Sequence, residues 1–174
     1  GTLNFAAGTA PFAVMVALLD RGERQAAWIF DPVAGRLCHA AHRQGAFVDG
    51  ERIIARGTGR TPPVAALATG FMTPDRRAEV EAIAAGRLAV VPVPRCAGEQ
   101  YPRLALGIND LSLFERSLPW DHAPGALFLE EAGGRITRPD GTPYDVADGR
   151  RGLIAGATPA EWDVAMALFG EGLS

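Results

Sequence analysis

The pattern of apolar residues changes near residue 60, and this change constrains the fold more than any other feature of the chain. Between Phe12 and Ile54, short apolar runs are separated by turn-forming residues, which is typical of antiparallel strands joined by tight turns. Asp49-Gly50 is the strongest hairpin signal, because a type I′ turn needs a positive φ at both central residues. The first part of the chain is therefore predicted to form an antiparallel meander.

Predicted strands and helices alternate after residue 60, which is typical of a layered α/β architecture. Gly133-Gly134 supplies the left-handed residue that ends a helix, and Thr158-Pro159 supplies a helix cap followed by proline. We predict strands at 64–71, 89–93, 111–115, 135–137 and 152–155, and helices at 74–86, 99–106, 121–132 and 159–169. The fold class is thus α/β, an α+β layered sandwich, with one subdomain over residues 1–60 and a second over residues 61–174.

Composition and charge exclude several classes of function. With 174 residues, 48% of them hydrophobic, the chain is long enough to bury a sizeable core. A net charge of -3 predicts no nucleic-acid partner, since such binding needs a clustered basic face. No apolar run reaches the roughly 18 residues of a membrane span, and no signal-peptide pattern is present, so we expect a cytoplasmic protein that does not contact membranes. Cys38 and Cys96 lie outside any CxxC pair, which predicts reduced thiols.

The first candidate site is the opening segment GTLNF, residues 1–5. A Gly-Thr step that enters a helix places backbone N–H groups and a hydroxyl at the positive end of that helix, where a phosphate anion binds. A threonine that only caps a helix produces the same pattern. Taken alone, Gly1 and Thr2 therefore leave both interpretations open.

The second candidate site is the segment LPWDHAPGALFLEEAGG, residues 118–134. Asp121 is predicted in the first turn of a helix, where its carboxylate would be well placed to bind a cation. Gly125 follows four residues later on the same helical face, and its missing side chain would let a ligand approach the backbone. The alternative for Asp121 is an ordinary helix cap.

The order and separation of these segments resemble the inositol monophosphatase family from residue 1 to about residue 168. In that family the first motif reads D-P-[IL]-D-G-T-x-N-F, and the second reads W-D-x-A-[AG]-G followed by E-A-G-G. Here they stand as GTLNF, PWDHAPG and EEAGG, with DPV and GAFVDG in the intervening meander. The resemblance implies an inositol-monophosphatase-like fold that lacks its N-terminal part, so residues 1–60 would be the remainder of a larger sheet subdomain.

The resemblance also implies an activity. Family members are Mg²⁺-dependent phosphomonoesterases that use metal-activated water, and they form homodimers. The expected substrate is a small phosphorylated alcohol such as myo-inositol monophosphate. Asp121 would be the last of the family's metal ligands, the other ligands being a Glu and two Asp residues upstream. Thr2 would orient the attacking water as a catalytic residue, and Gly1 and Thr2 would hold the phosphate.

The resemblance is weaker on the substrate side. The family contacts the alcohol through a G-[ST]-A segment, and here Arg95-Cys96-Ala97 stands in its place, with Ala97 as the matching substrate-binding residue. Glu115 corresponds to the family's sugar-side carboxylate, although its spacing to Asp121 is one residue short. The alternative is a solvated charge beside Arg116.

The three histidines are not predicted to bind a metal together. His39 and His42 are three residues apart on a predicted strand and so would lie on opposite faces. His122 stands next to Asp121, and we expect it either at the surface or supporting a residue that touches the metal.

Several functions remain open on this scaffold. A 3′(2′),5′-bisphosphate nucleotidase, a fructose-1,6-bisphosphatase and a histidinol-phosphate phosphatase share it, and the chain as given is also consistent with a non-catalytic fragment, because one metal carboxylate does not make a multi-metal site. If helices that cover one face of the meander are missing, apolar side chains on that face, among them Val14, Val16 and Leu18, should be exposed.

Overall fold

The computed structural model describes residues 1–170, and its first half is an antiparallel sheet. Five strands pair with their neighbours in chain order, so the predicted meander is confirmed. Asp49 and Gly50 have φ angles of 51° and 86° and connect the fourth strand to the fifth, which is the predicted type I′ geometry. The elements are α1 (Thr2–Ala6), β1 (Val14–Asp20), β2 (Glu23–Asp31), β3 (Arg36–Ala41), β4 (Gly45–Val48) and β5 (Glu51–Ile53).

The second half is a mixed sheet with helices between its strands. Its strand order is β7-β6-β8-β10-β9, where β6 runs parallel to β7 and β8, and β10 runs antiparallel to β8 and β9. The elements are β6 (Val64–Ala68), α2 (Pro74–Ala84), β7 (Ala89–Val91), α3 (Ala97–Ala105), β8 (Leu111–Phe114), α4 (Pro119–Glu131), β9 (Arg135–Thr137), β10 (Leu153–Gly156) and α5 (Pro159–Phe169).

Some predicted boundaries were wrong by two or three residues. Strand β6 ends at Ala68 rather than at residue 71, because its pairing with β8 ends where Ala68 meets Phe114. Helix α4 begins at Pro119 rather than at Asp121, since proline has a backbone angle suited to the first helical position. The predicted end of this helix is confirmed: Gly133, with a φ of 96°, closes it.

The two sheets enclose helices α3 and α4, which pack against each other. Helix α4 contacts strands of both sheets, whereas α5 and α2 lie together beyond the second sheet. One hydrophobic core runs through this arrangement and joins the first sheet to the middle helices and the second sheet, with Ile29, Tyr101, Phe128 and Leu153 among its buried members. The layered α/β fold is therefore confirmed, while the division into subdomains at residue 60 stays a prediction, and residues 171–174 lie outside the described part of the chain.

The outer face of the first sheet carries exposed apolar side chains. Val14, Val16 and Leu18 are 58%, 50% and 55% exposed, as predicted for a face without a covering layer. Trp28 and Phe30 on the neighbouring strand stand opposite Val16 and Val14 and extend the same face. Alternate residues of β1 and β2 point the other way, toward α4. Within residues 1–170 we find no helix with the length and apolar character that crossing a bilayer requires.

The segment between β9 and β10 is held by one buried arginine. Arg138 is 1% exposed, and its guanidinium donates to the Asp148 carboxylate, the Ser117 hydroxyl and two backbone carbonyls, those of Asp145 and Gly152. These contacts use all five N–H donors that an arginine side chain has. Ser117 in turn donates to the carbonyl of Arg150 at 2.8 Å. The segment is thereby attached to the residues that precede α4.

Candidate active site

A cavity of about 470 Å³ lies where the parallel strands β6 and β8 end. In sheets with parallel strands, ligands bind at the carboxyl ends of the strands. The first turns of α1, α3 and α4 also line this cavity. It is lined by Gly1, Thr2, Leu3, Ala68, Gly70, Phe71, Val93, Arg95, Cys96, Ala97, Gln100, Phe114, Glu115, Arg116, Asp121 and His122.

All five residues predicted to form the site line this one cavity. Gly1 and Thr2 come from the start of α1, Ala97 from the start of α3, Glu115 from the end of β8 and Asp121 from the first turn of α4. The first and the last of these residues are more than a hundred positions apart in the sequence, and only the fold brings all five together. Their individual roles stay predictions.

The helix-cap alternatives for Thr2 and Asp121 are wrong. The cap of α1 is Gly1, and no side chain makes a capping hydrogen bond there. The cap of α4 is Leu118, and Asp121 is the third residue of the helix, half-buried at the cavity wall. Neither polar side chain is thus engaged in capping its own helix, and both are available to a ligand.

Gly1 allows α1 to approach α3 closely. A Cβ atom at this position would lie 2.8 Å from the Cα atom of Phe12 and 3.1 Å from the Cys96 sulfur. The first of these distances is too short for a real side chain, so any other residue here would force the backbone at Phe12 to shift. The close approach sets the first turns of α1 and α3 beside each other at the cavity.

The prediction that a ligand approaches the backbone at Gly125 was wrong. A Cβ atom on Gly125 would lie 1.9 Å from a ring carbon of Tyr101, so this aromatic ring fills the space. Gly125 and Tyr101 are both buried and join α4 to α3. The glycine is therefore required for helix packing, and it does not belong to the cavity.

His122 is buried, so the surface position that we considered for it is wrong. It is 4% exposed, and its Nδ1 atom lies 2.8 Å from the Tyr101 hydroxyl. Burial raises the pKa of Tyr101 well above its ordinary value, so the hydroxyl stays protonated and its O–H donates a hydrogen bond to Nδ1 of the neutral ring. Burial also lowers the pKa of His122 to about 4, although a hydrogen bond to the backbone of Arg116 opposes this shift. A neutral ring thus stands beside Asp121 and is held in one orientation.

Two charged residues at the cavity mouth have partners that the sequence did not indicate. The Glu115 carboxylate lies 3.3 Å from a guanidinium nitrogen of Arg151, so its charge is partly neutralised from outside the cavity. The Arg116 guanidinium lies over the Phe71 ring, 3.9 Å from its centre. Such a stacked cation is held in place without losing its charge.

The described residues do not fit a complete Mg²⁺ site. Mg²⁺ requires near-octahedral oxygen ligands and is usually bound through carboxylates. Asp121 is the one predicted carboxylate ligand, and no group of three or more His, Cys, Asp or Glu side chains within residues 1–170 is placed to hold a metal ion.

Comparison with known proteins identifies the family. A sequence model of the inositol monophosphatase family matches residues 1–170. A chloroplastic phosphatase named IMPL1 from Arabidopsis thaliana is 35% identical over 165 residues, and an inositol-1-monophosphatase from Bacillus subtilis is 28% identical over 148 residues. An inositol monophosphatase from Anabaena superposes with a TM-score of 0.81 at 26% identity, covering 97% of this chain and 68% of its own. The chain belongs to the inositol monophosphatase family.

The alignments cover only part of the relatives. They include 85% of this chain but 43% of the Arabidopsis phosphatase, and 83% of this chain but 56% of the Bacillus enzyme. The chain therefore spans about half the length of these curated relatives.

The buried His122 predicts that stability depends on pH. The folded chain takes up a proton on this ring only near pH 4, whereas the unfolded chain does so near the ordinary value of 6.5. Its contribution is complete above pH 6.5 and is lost as the pH falls toward 4, by about 3 kcal/mol in total. We expect urea unfolding at pH 7 and pH 4.5 to show a smaller loss of stability in His122→Gln than in the unchanged protein. Equal losses of stability in both proteins would contradict a lowered pKa of His122 in the folded chain.

Proposed function

We propose that the protein to which this chain belongs is a Mg²⁺-dependent phosphomonoesterase acting on a small phosphorylated alcohol. The observation that carries this proposal is the meeting of Gly1, Thr2 and Asp121 at one cavity in a member of the inositol monophosphatase family. The cavity joins a carboxylate suited to a hard cation with helix N-termini suited to a phosphate. This is the combination that hydrolysis of a phosphate ester requires.

The chain's own residues would position the phosphate and the water. The backbone N–H groups at Gly1 and Thr2, with those in the first turn of α3, would hold the phosphate oxygens without moving during the reaction. The Thr2 hydroxyl would orient the attacking water. Asp121 would be one ligand of Mg²⁺. When bound, the ion would lower the pKa of its water and neutralise charge on the phosphate.

The remaining parts of the site would come from outside this chain. We propose that the upstream Glu and Asp ligands lie in the N-terminal region that the relatives possess, and that the working enzyme is a homodimer. Glu115 and Ala97 would contact the alcohol part of the substrate. The alternative of a non-catalytic fragment applies to this chain alone, since Asp121 is the one metal carboxylate that it would bring to the cavity.

The test is phosphate release by the full-length protein. Inositol 1-phosphate, glycerol 2-phosphate, fructose 1,6-bisphosphate, adenosine 3′,5′-bisphosphate and histidinol phosphate would be compared with Mg²⁺ and with excess chelator, and a phosphodiester would serve as the control. We expect Mg²⁺-dependent release from at least one monoester and none from the diester. Absence of release from every monoester with Mg²⁺ present would overturn the proposal.

A further inference from the structure

Two exposed arginine residues line the cavity without a carboxylate partner. Arg95 and Arg116 both line it, and neither forms an ion pair with an acidic side chain within residues 1–170. The acidic residues of the cavity do not offset this charge. Glu115 is already paired with Arg151, and Asp121 is the proposed metal ligand. The two arginines thus place positive charge at the cavity that is not in an ion pair within residues 1–170.

The backbone at Arg95 does not favour arginine. Its φ is 56°, in the left-handed region that glycine adopts freely and that residues with a side chain adopt at a cost. Residues held in such conformations cluster at binding and catalytic sites. Arg95 also directly precedes Cys96, the cap of α3, so its position at the cavity is fixed by a helix start. The start of this helix therefore holds Arg95 at the cavity.

Few neutral hydrogen-bonding groups remain for a polyol. The Gln100 amide nitrogen donates to the carbonyl of Ala66 at 3.1 Å, and Nδ1 of His122 is taken by the Tyr101 hydroxyl. Much of the rest of the wall is apolar, including Leu3, Val93 and Phe114. A ring of neutral hydroxyls would find few partners on this wall, whereas an anionic group would find two guanidinium groups.

We infer that the cavity selects a phosphomonoester that carries a second anionic group, either phosphate or carboxylate, and that Arg95 and Arg116 bind this second group. The inference rests on the proposed function, because it assigns the reacting phosphate to the Gly1, Thr2 and Asp121 side of the cavity. Guanidinium groups suit this role, since their planar donors match both carboxylate and phosphate oxygens.

The test uses matched pairs of substrates with the full-length protein and Mg²⁺. Glycerol 2-phosphate and 2-phosphoglycerate differ by one hydroxymethyl group that becomes a carboxylate, and fructose 1-phosphate and fructose 1,6-bisphosphate differ by a second phosphate. We expect kcat/KM to be higher for the doubly anionic member by about tenfold or more in at least one pair. The pair that shows the preference identifies the second group.

Substitution of the two arginines then tests whether they cause the preference for the doubly anionic substrate. We expect Arg95→Gly to reduce the ratio of the two kcat/KM values by about tenfold, mainly through KM, and Arg116→Ala to act in the same direction. Arg95→Gly should keep the fold, because glycine suits a φ of 56°, and thermal denaturation checks this. Arg77→Ala, on the exposed face of α2, removes one positive charge elsewhere and should leave the ratio unchanged.

Three results would overturn the inference, and each has a distinct meaning. Equal hydrolysis within both pairs would leave the proposed function intact and refute a second anion site. If Arg95→Gly reduced kcat/KM equally for both substrates of a pair, this arginine would be assigned to the reacting phosphate. Hydrolysis of none of the four substrates by a protein that does release phosphate from inositol 1-phosphate would refute the inference and leave the proposed function intact.

Discussion

Replacing Gly125 by alanine is expected to lower the free energy of unfolding by about 3 kcal/mol. The added methyl group would lie 1.9 Å from a carbon of the Tyr101 ring, well inside the contact distance of two atoms. The ring has little space to move, because it packs against Phe114 and His122 and is fully buried. Helices α3 and α4 would have to separate, and the first turns of both line the cavity.

Urea unfolding of the full-length protein measures this effect. Gly70→Ala is the matched control, because the same methyl group there would meet no atom within 4 Å, and we expect it to change stability by less than about 0.5 kcal/mol. The double variant Gly125→Ala with Tyr101→Leu should recover part of the loss, since the smaller side chain frees space. A Gly125→Ala protein as stable as the control would show that the packing of α3 on α4 is looser than described.

Replacing Asp121 by asparagine is expected to reduce kcat of the full-length protein by at least about a hundredfold while leaving its fold intact. Asparagine has the same shape and keeps a carbonyl oxygen, but it loses the negative charge that Mg²⁺ requires. The residue is half-buried at the cavity wall, and it neither caps α4 nor forms an ion pair within residues 1–170 that the change would break. The value of kcat should therefore fall sharply, while the free energy of unfolding should change little.

Two readouts separate a metal ligand from a structural residue. Phosphate release should fall, and the Mg²⁺ concentration that gives half-maximal activity should rise, while the urea midpoint stays the same. Asp75→Asn, in the first turn of α2, is the matched control, because it makes the same change at a helix start away from the cavity. If Asp121→Asn kept its rate and its Mg²⁺ dependence, the metal would have to lie elsewhere.

Local signals in the sequence predicted most of the secondary structure correctly. The hairpin at Asp49-Gly50 and the end of α4 at Gly133 depend on backbone conformations that few residues adopt, so the residue type is informative by itself. The start of α4 was missed by two residues, although Pro119 at the first helical position was a usable signal.

The errors at the site have a different cause, because they concern partners distant in sequence. Gly125 has the pattern of a residue that admits a ligand, and only the fold shows that Tyr101, from another helix, occupies the space. The ion pair between Glu115 and Arg151 likewise joins the end of one strand to the segment before another. In the sequence, Arg95 differs from the glycine of the family motif, and the sequence shows nothing more about its role. Its backbone angle and its place at the cavity depend on how α3 begins, which residue spacing does not reveal.

The contacts of Arg138 have a consequence for motion. The segment from residue 138 to residue 152 contains no helix or strand, yet a single guanidinium attaches it at several points to itself and to Ser117. Amide hydrogens across this segment should therefore exchange with solvent together, in one opening event, rather than one by one. Because Ser117 lies four residues before Asp121, each such opening would also release the start of α4, which carries the proposed metal ligand.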